Sequence, residues 1–344
     1  MNERFSKKVD AMPVQTPNEP LVLMYHGLDP GDGRYAQTPA EARAYVLSRS
    51  DFLDHLSLLE QAGRRFADPG GFPLDPIGPM GRIGPISPIG PMGHIGPMGH
   101  IGPISPIGPM GHIGPMGRIG PISPIGPMGK TGMIPAKPLL SPNEVLITFD
   151  DGMLSDYDVA FPILAEKGRR AAFFITTAEV GAKGRVTWEH LREMAAAGMT
   201  LGAHGHTHRF LSELGADEQR KELEISRALI QENTGLAVRM MSLPGGRFRS
   251  DTFAAARACG YMAVFTSSPV PEALCGGVRV VGRIALSADW QTERMKNFLA
   301  GQDDSLRTLR RTDAVHRFAQ RRLGTSGFAW LHRMYWRLRA KSGH

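Results

Sequence analysis

The fold of this chain is decided by an apolar segment that runs into two acids, VLITFDDG at residues 145–152. The first five residues are apolar or β-branched, which is typical of a short parallel strand buried on both faces. Six other segments share this character: 21–25, 171–175, 199–203, 238–243, 262–265 and 278–284. Helix candidates such as 50–63 and 187–198 lie between them and stop at a glycine. This alternation predicts parallel βα units, in an open doubly wound sheet or a barrel.

The composition is that of a globular protein. Of its 344 residues, 42% are hydrophobic and 21% are charged, and no apolar run is long enough to cross a bilayer. The first twenty residues lack the apolar core of a secretory signal, so we expect a cytoplasmic protein with a flexible N-terminus at 1–19. The two cysteines, Cys259 and Cys275, lack CxxC spacing, which argues against a disulfide framework and a cysteine zinc site.

A repeat interrupts the strand and helix pattern. From residue 78 to 132 every third residue is glycine, except for serines at 87, 105 and 123. The pattern resembles collagen, and a trimerising rod is one interpretation. However, the regular serines break the glycine period, and a rod of about 170 Å, at ~3.1 Å per residue, would separate flanks that share one domain pattern. We therefore interpret residues 70–137 as a low-complexity loop insertion, disordered or loosely polyproline-like, in a domain spanning 20–290.

The net charge of +7 is concentrated at the C-terminal end of the chain. Residues 293–344 hold twelve Lys or Arg and four Asp or Glu, and 328–338 places apolar residues at helical spacing among arginines. We assign 291–344 to a basic helical tail. Such a helix either contacts an anionic membrane peripherally, at its inner face, or packs on the domain with a solvated basic face. No nucleic acid partner is expected, because no recognised binding module accompanies the charge.

Polar residues follow several of the predicted strands. Asp150 and Asp151 end the strand at 145–149, and Gly152 permits the turn that brings both carboxylates to one site. The strand at 199–203 leads into His204 and His208, whose imidazoles, with a carboxylate, would form a three-ligand site for zinc or ferrous iron. The alternatives are an ordinary polar turn for the acids and a solvated histidine loop. Because parallel strands end at one edge, we expect these groups to converge.

Two further strand ends carry weaker signals. Tyr25 ends the strand at 21–25 and His26 follows it, and Pro244 and Gly246 lie in a turn after the strand at 238–243. A lone strand-end histidine is more often structural than catalytic, and a Pro-Gly-Gly turn is more often a plain loop.

Together these residues resemble the polysaccharide deacetylase family, carbohydrate esterase family four. VLITFDDG at 145–152 is similar to the family's first motif, and His204-x-x-x-His208 about fifty residues later is similar to its second. MetTyrHis at 24–26, ahead of the acids, resembles the poly-N-acetylglucosamine deacetylase branch, in which the motif order is circularly permuted. The resemblance implies an α/β fold, a deformed TIM-like (β/α)7 barrel.

The resemblance also implies roles for these residues. Asp151, His204 and His208 would be the metal ligands, for Zn²⁺ most readily and otherwise Co²⁺, Ni²⁺ or Fe²⁺. Asp150 would be the general base and His26 the general acid. Pro244, Gly246 and Tyr25 would shape the substrate groove.

This chain departs from the family's pattern at three points. The arginine that many members carry two residues before the motif proline, where it orients the base, is Ser242 here. The hydroxyl residue that commonly follows the first metal histidine is Gly205, and no C-terminal Leu-His-Asp motif is present. Asp150 therefore needs another partner or is less well tuned.

The function expected from the resemblance is metal-dependent hydrolysis of an N-acetyl amide on a sugar of a polysaccharide, oligosaccharide or glycolipid, with release of acetate. The departures at Ser242 and Gly205 motivate one alternative, a catalytically weakened carbohydrate-binding protein. The other is a hydrolase of a different non-peptide amide, because fold and metal do not define the acyl donor.

Overall fold

Thirteen strands are present in the computed structural model, which describes residues 19–35, 43–74, 134–249 and 251–303. Ten of them form one continuous path of paired strands in the order β13-β1-β6-β7-β8-β9-β10-β12-β11-β5, while β4 pairs with β6 and β2 pairs with β3. Their bounds are β1 Leu21–Tyr25, β2 Leu28–Asp29, β3 Leu47–Ser48, β4 Arg65–Phe66, β5 Ile134–Pro135, β6 Glu144–Phe149, β7 Ala172–Ile175, β8 Thr200–Ala203, β9 Met240–Ser242, β10 Ala263–Phe265, β11 Ala273–Cys275, β12 Val278–Val281 and β13 Ile284–Ala285.

The sheet curls into a barrel-like shape. From β13 to β12 every neighbouring pair is parallel, and the strands follow one another in chain order from β1 onward. β12 and β13 lie at opposite ends of this parallel path, yet only Gly282 and Arg283 separate them in the chain. The two ends of the path must therefore approach each other, which curls the sheet. The predicted deformed (β/α) barrel is confirmed.

Six α-helices accompany the strands in the described residues. Their bounds are α1 Arg49–Gln61, α2 Phe161–Glu166, α3 Trp188–Ala196, α4 Ala216–Thr234, α5 Thr252–Ala258 and α6 Thr292–Leu299. A π-helical turn at Asp156–Ala160 leads into α2. The first helix begins after Ser48, whose side chain accepts a hydrogen bond from the Asp51 amide, and Thr187 caps α3 in the same way.

The core has two layers because the sheet is buried on both faces. Val145, Ile147 and Phe149 of β6 pack with the helices on the outer face, whereas Leu146 belongs to a second cluster inside the curl. This inner cluster includes Phe174, Met240, Ala263, Phe265 and Val281 from the following strands. Alternate residues of the apolar runs therefore fill two different cores, which is why the runs show no polar side.

The structure corrects one predicted strand. The segment 278–284, predicted as a single strand, is two strands, because the chain breaks its pairing at Gly282 and Arg283. A Cβ on Gly282 would collide with the backbone of Val270, so only glycine fits where these two segments cross.

The ends of the predicted insertion contribute to the fold. Leu74 is buried, and Ile134–Pro135 pairs with β11, although both fall within the 70–137 segment. The repeat itself, within residues 75–133, lies outside the described residues, as do residues 304–344 of the basic tail. The tail's contact with a membrane and the cytoplasmic location stay predictions. In the described part of the chain, no helix is long and apolar enough to cross a membrane.

Candidate metal and catalytic site

The site is built at the carboxyl ends of four strands. β1 ends before His26, β6 before Asp150 and Asp151, and β8 before His204, while β9 leads into the turn Pro244–Gly246. In a parallel sheet these ends lie on one edge, so residues far apart in sequence meet there. The sequence-predicted acids and histidines are brought together by this geometry.

Asp151, His204 and His208 form a cluster that fits a metal ion. Oδ1 of Asp151 lies 3.3 Å from Nε2 of His204 and 3.3 Å from Nε2 of His208. Ligands of a tetrahedral zinc at about 2.0–2.1 Å lie roughly 3.3 Å from one another, so the observed spacing suits such an ion. Oδ1 of Asp151 is buried and has no hydrogen-bond partner among the described residues, which leaves it available to a cation. The cluster is therefore a candidate metal site.

The ionisable groups of this cluster stabilise one another's charged forms. Burial alone would raise the pKa of Asp151, but its contacts with His204 and His208 hold that pKa well below its usual range. The contact with Asp151 raises the pKa of His208 against the effect of its partial burial. An ionised carboxylate beside imidazole nitrogens is the donor set that zinc and ferrous iron accept.

Unusual backbone conformations place the ligands. Asp151 has a φ of 79° and His208 a φ of 60°, in the left-handed region that L residues seldom adopt. The turn at Asp151 and Gly152, whose φ is 72°, allows Asp150 and Asp151 to serve the same site although they are adjacent in the chain. Strain of this kind is retained where the surrounding structure enforces it, and it clusters at functional sites.

Helix α4 supports the loop that carries the histidines. Glu222 of that helix is buried, and its carboxylate accepts hydrogen bonds from the amides of His206 and Thr207 at 2.7 and 2.8 Å. Gly205 has a φ of 74°, and a Cβ there would lie 3.3 Å from Oε2 of Glu222. Glycine at 205 is therefore required by the loop, where the family's pattern led us to expect a hydroxyl residue.

Ser242 contacts His204 of the candidate metal site. Its side-chain oxygen forms a hydrogen bond with Nδ1 of His204, and its carbonyl oxygen lies 3.2 Å from the same nitrogen. With Nδ1 engaged, Nε2 of His204 faces Asp151 and is the ring nitrogen available to a metal ion. A hydrogen bond of this type fixes the tautomer and orientation of a ligating imidazole.

Asp150 has a strong partner that the sequence analysis missed. Nη1 and Nη2 of Arg283 donate to Oδ1 and Oδ2 of Asp150, each at 2.7 Å, and both side chains are buried. Burial alone would raise the pKa of Asp150, but the charge of Arg283 and the neighbouring histidines lower it below its ordinary value. Asp150 is thus an ionised carboxylate held 3.9 Å from Nδ1 of His204.

His26, which follows β1, interacts electrostatically with both acids. Burial lowers the pKa of His26, while the charges of Asp151 and Asp150 oppose that effect. Its Nδ1 is buried without a hydrogen-bond partner among the described residues, and its ring packs at 5.0 Å from the ring of Tyr45, which is 44% exposed. His26 is therefore an imidazole near both carboxylates.

Tyr25 does not line the groove. Its ring is fully buried between Phe52 and Phe149, and its hydroxyl lies 3.1 Å from Nδ1 of His55 on α1. The prediction was wrong because alternate strand residues face opposite sides, and Tyr25 faces the helices while His26 faces the acids. Pro244, by contrast, packs beside the ligand loop, since a Cβ on Gly205 would lie 3.5 Å from its ring.

Gly246 belongs to the same turn as Pro244. It has a φ of 65°, and a Cβ there would lie 2.8 Å from the side chain of Ser267. Phe210 covers the neighbouring Gly245, and the guanidinium of Arg247 stacks on Phe210 at 4.3 Å. The turn and this stacked pair thus form one flank of the edge that carries the ligands.

Comparisons with known proteins agree with this geometry. Residues 139–264 match the family model described as polysaccharide deacetylase. Over 143 residues the chain is 32% identical to "Putative polysaccharide deacetylase YxkH" of Bacillus subtilis (strain 168), and the match covers 42% of this chain and 51% of that protein. The aligned region therefore spans about half the length of this curated relative.

Two solved structures share the fold. The structure of IcaB from Ammonifex degensii superposes with a TM-score of 0.54 at 23% identity, covering 83% of this chain and 98% of that chain. The Streptococcus pyogenes deacetylase PplD in complex with acetate gives 0.53 at 18% identity, covering 84% and 100%. These similarities cover nearly the whole of the two solved chains and 83–84% of this chain.

Proposed function

The chain belongs to the polysaccharide deacetylase family, and from that premise we propose that it hydrolyses an N-acetyl amide on a sugar and releases acetate. The sugar is part of a polysaccharide, an oligosaccharide or a glycolipid. One observation carries the proposal: an ionised, buried Asp150 lies beside a carboxylate and two imidazoles that suit a metal ion. A base next to a Lewis-acid site is an arrangement that can activate water for amide hydrolysis.

Asp151, His204 and His208 would hold the metal, for which zinc is the first choice and cobalt, nickel or ferrous iron are alternatives. When bound, the ion supplies Lewis acidity toward the amide carbonyl and toward a water molecule. The exposed fraction of the His208 side chain is 38%, whereas that of His204 is 2%, so the approach to the cluster lies on the side of His208.

Asp150 acts as the general base in this proposal. Its pKa lies below the ordinary value, so the carboxylate is ionised at neutral pH and can accept a proton from the attacking water. Its two oxygens are already engaged by Arg283, which limits the directions from which that proton can arrive. The carboxylate therefore works from one fixed orientation.

His26 acts as the general acid. The leaving group of the reaction is an amine, which departs only when its nitrogen gains a proton, and His26 donates that proton. Because burial lowers the pKa of His26, its imidazolium is a stronger acid than an exposed histidine, and the two aspartates favour its charged form. Base and acid are thus separate residues on neighbouring strands, β6 and β1.

The proposal is tested by measuring acetate release from N-acetylated chito-oligosaccharides by metal-stripped protein and by protein reloaded with zinc, cobalt, nickel or iron. Release that requires a metal supports it. A folded protein that binds metal and these oligosaccharides, but releases no acetate with any metal, contradicts the proposal and favours a carbohydrate-binding protein. Release of another acyl group from a non-sugar amide alone would assign the site to a different amide.

A further inference from the structure

Arg283 stands at the break between β12 and β13 and is completely buried. Besides its two hydrogen bonds with Asp150, its Nε donates to the carbonyl oxygen of Thr266 at 2.8 Å, and Nη1 donates to the Thr148 hydroxyl at 3.2 Å. Its guanidinium also lies 5.4 Å from the ring centre of Phe174. Together these contacts fix the position of the guanidinium.

The bidentate pair fixes the carboxylate as well as the arginine. Two parallel N–H···O bonds define a plane, so Asp150 cannot rotate about its terminal bond without breaking one of them. A lysine at 283 would offer one point charge and would leave that rotation free. The orientation of Asp150 toward His204 therefore depends on the planar fork of Arg283.

The strand break is what delivers this side chain. β12 and β13 both belong to the sheet, but the two residues between them leave the ladder, and Arg283 turns toward β6. Glycine at 282 permits the break because a side chain there would meet Val270. The guanidinium that holds Asp150 thus comes from the junction of β12 and β13, and β13 is separated from β6 by β1 alone.

Ser242 occupies the place from which an arginine was expected to orient the base, and it has a different task. Its hydroxyl and carbonyl both contact Nδ1 of His204. The two support functions of the site are therefore divided: Ser242 orients a metal ligand, and Arg283 orients the base.

We propose that Arg283 is the positioning residue for Asp150, in place of an arginine at position 242, and that Ser242 in turn positions His204. This inference rests on the proposed role of Asp150 as the base. Arg283 is not one of the three candidate metal ligands, and among the groups assigned to catalysis its hydrogen bonds go to the Asp150 carboxylate.

The first experiment compares Arg283→Gln with Arg279→Gln, a matched control that removes a partly buried, ion-paired arginine of β12 remote from Asp150. With zinc-loaded proteins and chito-oligosaccharides, Arg283→Gln should lower kcat by roughly 10- to 100-fold, as loss of an orienting partner typically does. KM and zinc stoichiometry should stay near the wild-type values, and Arg279→Gln should change none of the three. An equal loss of kcat in both variants would overturn the proposal.

A double-mutant cycle separates positioning from general support of the fold. In an Asp150→Asn background, Arg283→Gln should cause almost no further loss of kcat, because both changes act through one carboxylate. A double variant whose loss of kcat equals the product of the two single-variant losses would contradict the proposal.

A structural measurement tests the inference independently of enzymatic activity. Arg283→Lys keeps the positive charge and serves as a second variant if Arg283→Gln fails to fold. Crystal structures of the wild type and of Arg283→Lys should show the Asp150 carboxylate rotated in the variant. An unchanged carboxylate overturns the inference. A wild type that releases no acetate from any N-acetyl sugar instead contradicts the proposed function, and the crystal structures still decide the role of Arg283.

Discussion

Several residues at the site have a backbone φ in the left-handed region. Asp151 and His208 adopt positive φ, and Gly205 lies between the two ligand histidines with a φ of 74°. A non-glycine residue in this region costs of order 1–3 kcal/mol, which the hydrogen bonds donated by the loop amides to Glu222 and the tight turn at Gly152 must offset. The ligand geometry therefore depends on residues that touch neither metal nor substrate.

Gly205→Ala should weaken zinc binding as well as stability. The variant places a Cβ at positive φ, 3.3 Å from the Glu222 carboxylate that holds the loop. Gly181→Ala is the matched control, because Gly181 has a φ of 82° with nothing within 4 Å of its Cβ position. Both variants should lose about 1 kcal/mol of unfolding free energy, and only Gly205→Ala should raise the Kd for zinc in a titration. Equal zinc affinity in both would show that the loop tolerates the displacement.

His26→Gln should lower turnover by about 10²–10⁴-fold, the usual contribution of a general acid or base. The leaving amine would then depart without a positioned proton donor, whereas zinc binding should not change because His26 is not a ligand. Acetate release under saturating substrate and zinc titration on the same preparation would check both expectations. Turnover within about threefold of the wild type would remove His26 from the mechanism.

At the scale of elements, the sequence predicted most strands but not their ends or exceptions. The seven apolar runs located the eight strands of the parallel path because burial on both faces leaves few polar positions. The break at Gly282 and Arg283 was missed because an arginine in an apolar run looks like a strand residue with an exposed side chain, as Arg279 does in the same run. The only signal was a charged residue following a glycine, and its meaning depends on a partner more than 130 positions away.

Helix α1 is joined to the rest of the fold through a buried histidine. Nδ1 of His55 meets the Tyr25 hydroxyl, and Nε2 lies 2.8 Å from the carbonyl oxygen of Trp290. Burial lowers the pKa of His55 from 6.5 to about 4. Below pH 6.5 the unfolded chain therefore binds a proton that the folded chain does not, and the folded state loses stability as the pH falls toward 4.

This linkage predicts a pH dependence that His55→Asn should reduce. Between pH 7.5 and 4.5 the unfolding free energy of the wild type should fall by up to about 3 kcal/mol more than that of the variant. Urea unfolding at several pH values, with metal removed from both proteins, measures the difference. Parallel stability curves for the two proteins would contradict the low pKa of His55.

At the scale of the whole molecule, the order of strands explains why the site could be predicted. Sequential parallel strands place all their carboxyl ends on one edge, so polar residues after separate strands, such as Asp151 and His204, were expected to meet. The positions of the Tyr25 and Arg283 side chains could not be predicted in this way. The face on which a strand-end side chain lies, and the contacts made across the curled sheet, depend on three-dimensional packing that one sequence does not encode locally.

The chain on both sides of the repeat forms one sheet, because β4 pairs with β6 and β5 pairs with β11. Replacing residues 75–133 with a short Gly-Ser linker should therefore preserve the fold, since long surface insertions alter stability little. The thermal unfolding midpoint and the zinc stoichiometry of the shortened protein should match those of the full chain. Loss of either would show that the repeat contributes to the catalytic domain.

The central claim is that Asp150 is the base of a metal-dependent deacetylation, and the most direct test compares zinc-loaded wild type with zinc-loaded Asp150→Asn. We predict that both proteins bind one zinc and bind N-acetylated chito-oligosaccharides with similar affinity, while acetate release by the variant falls by about 10²–10⁴-fold. Near-normal release by Asp150→Asn, with zinc bound, would contradict the account.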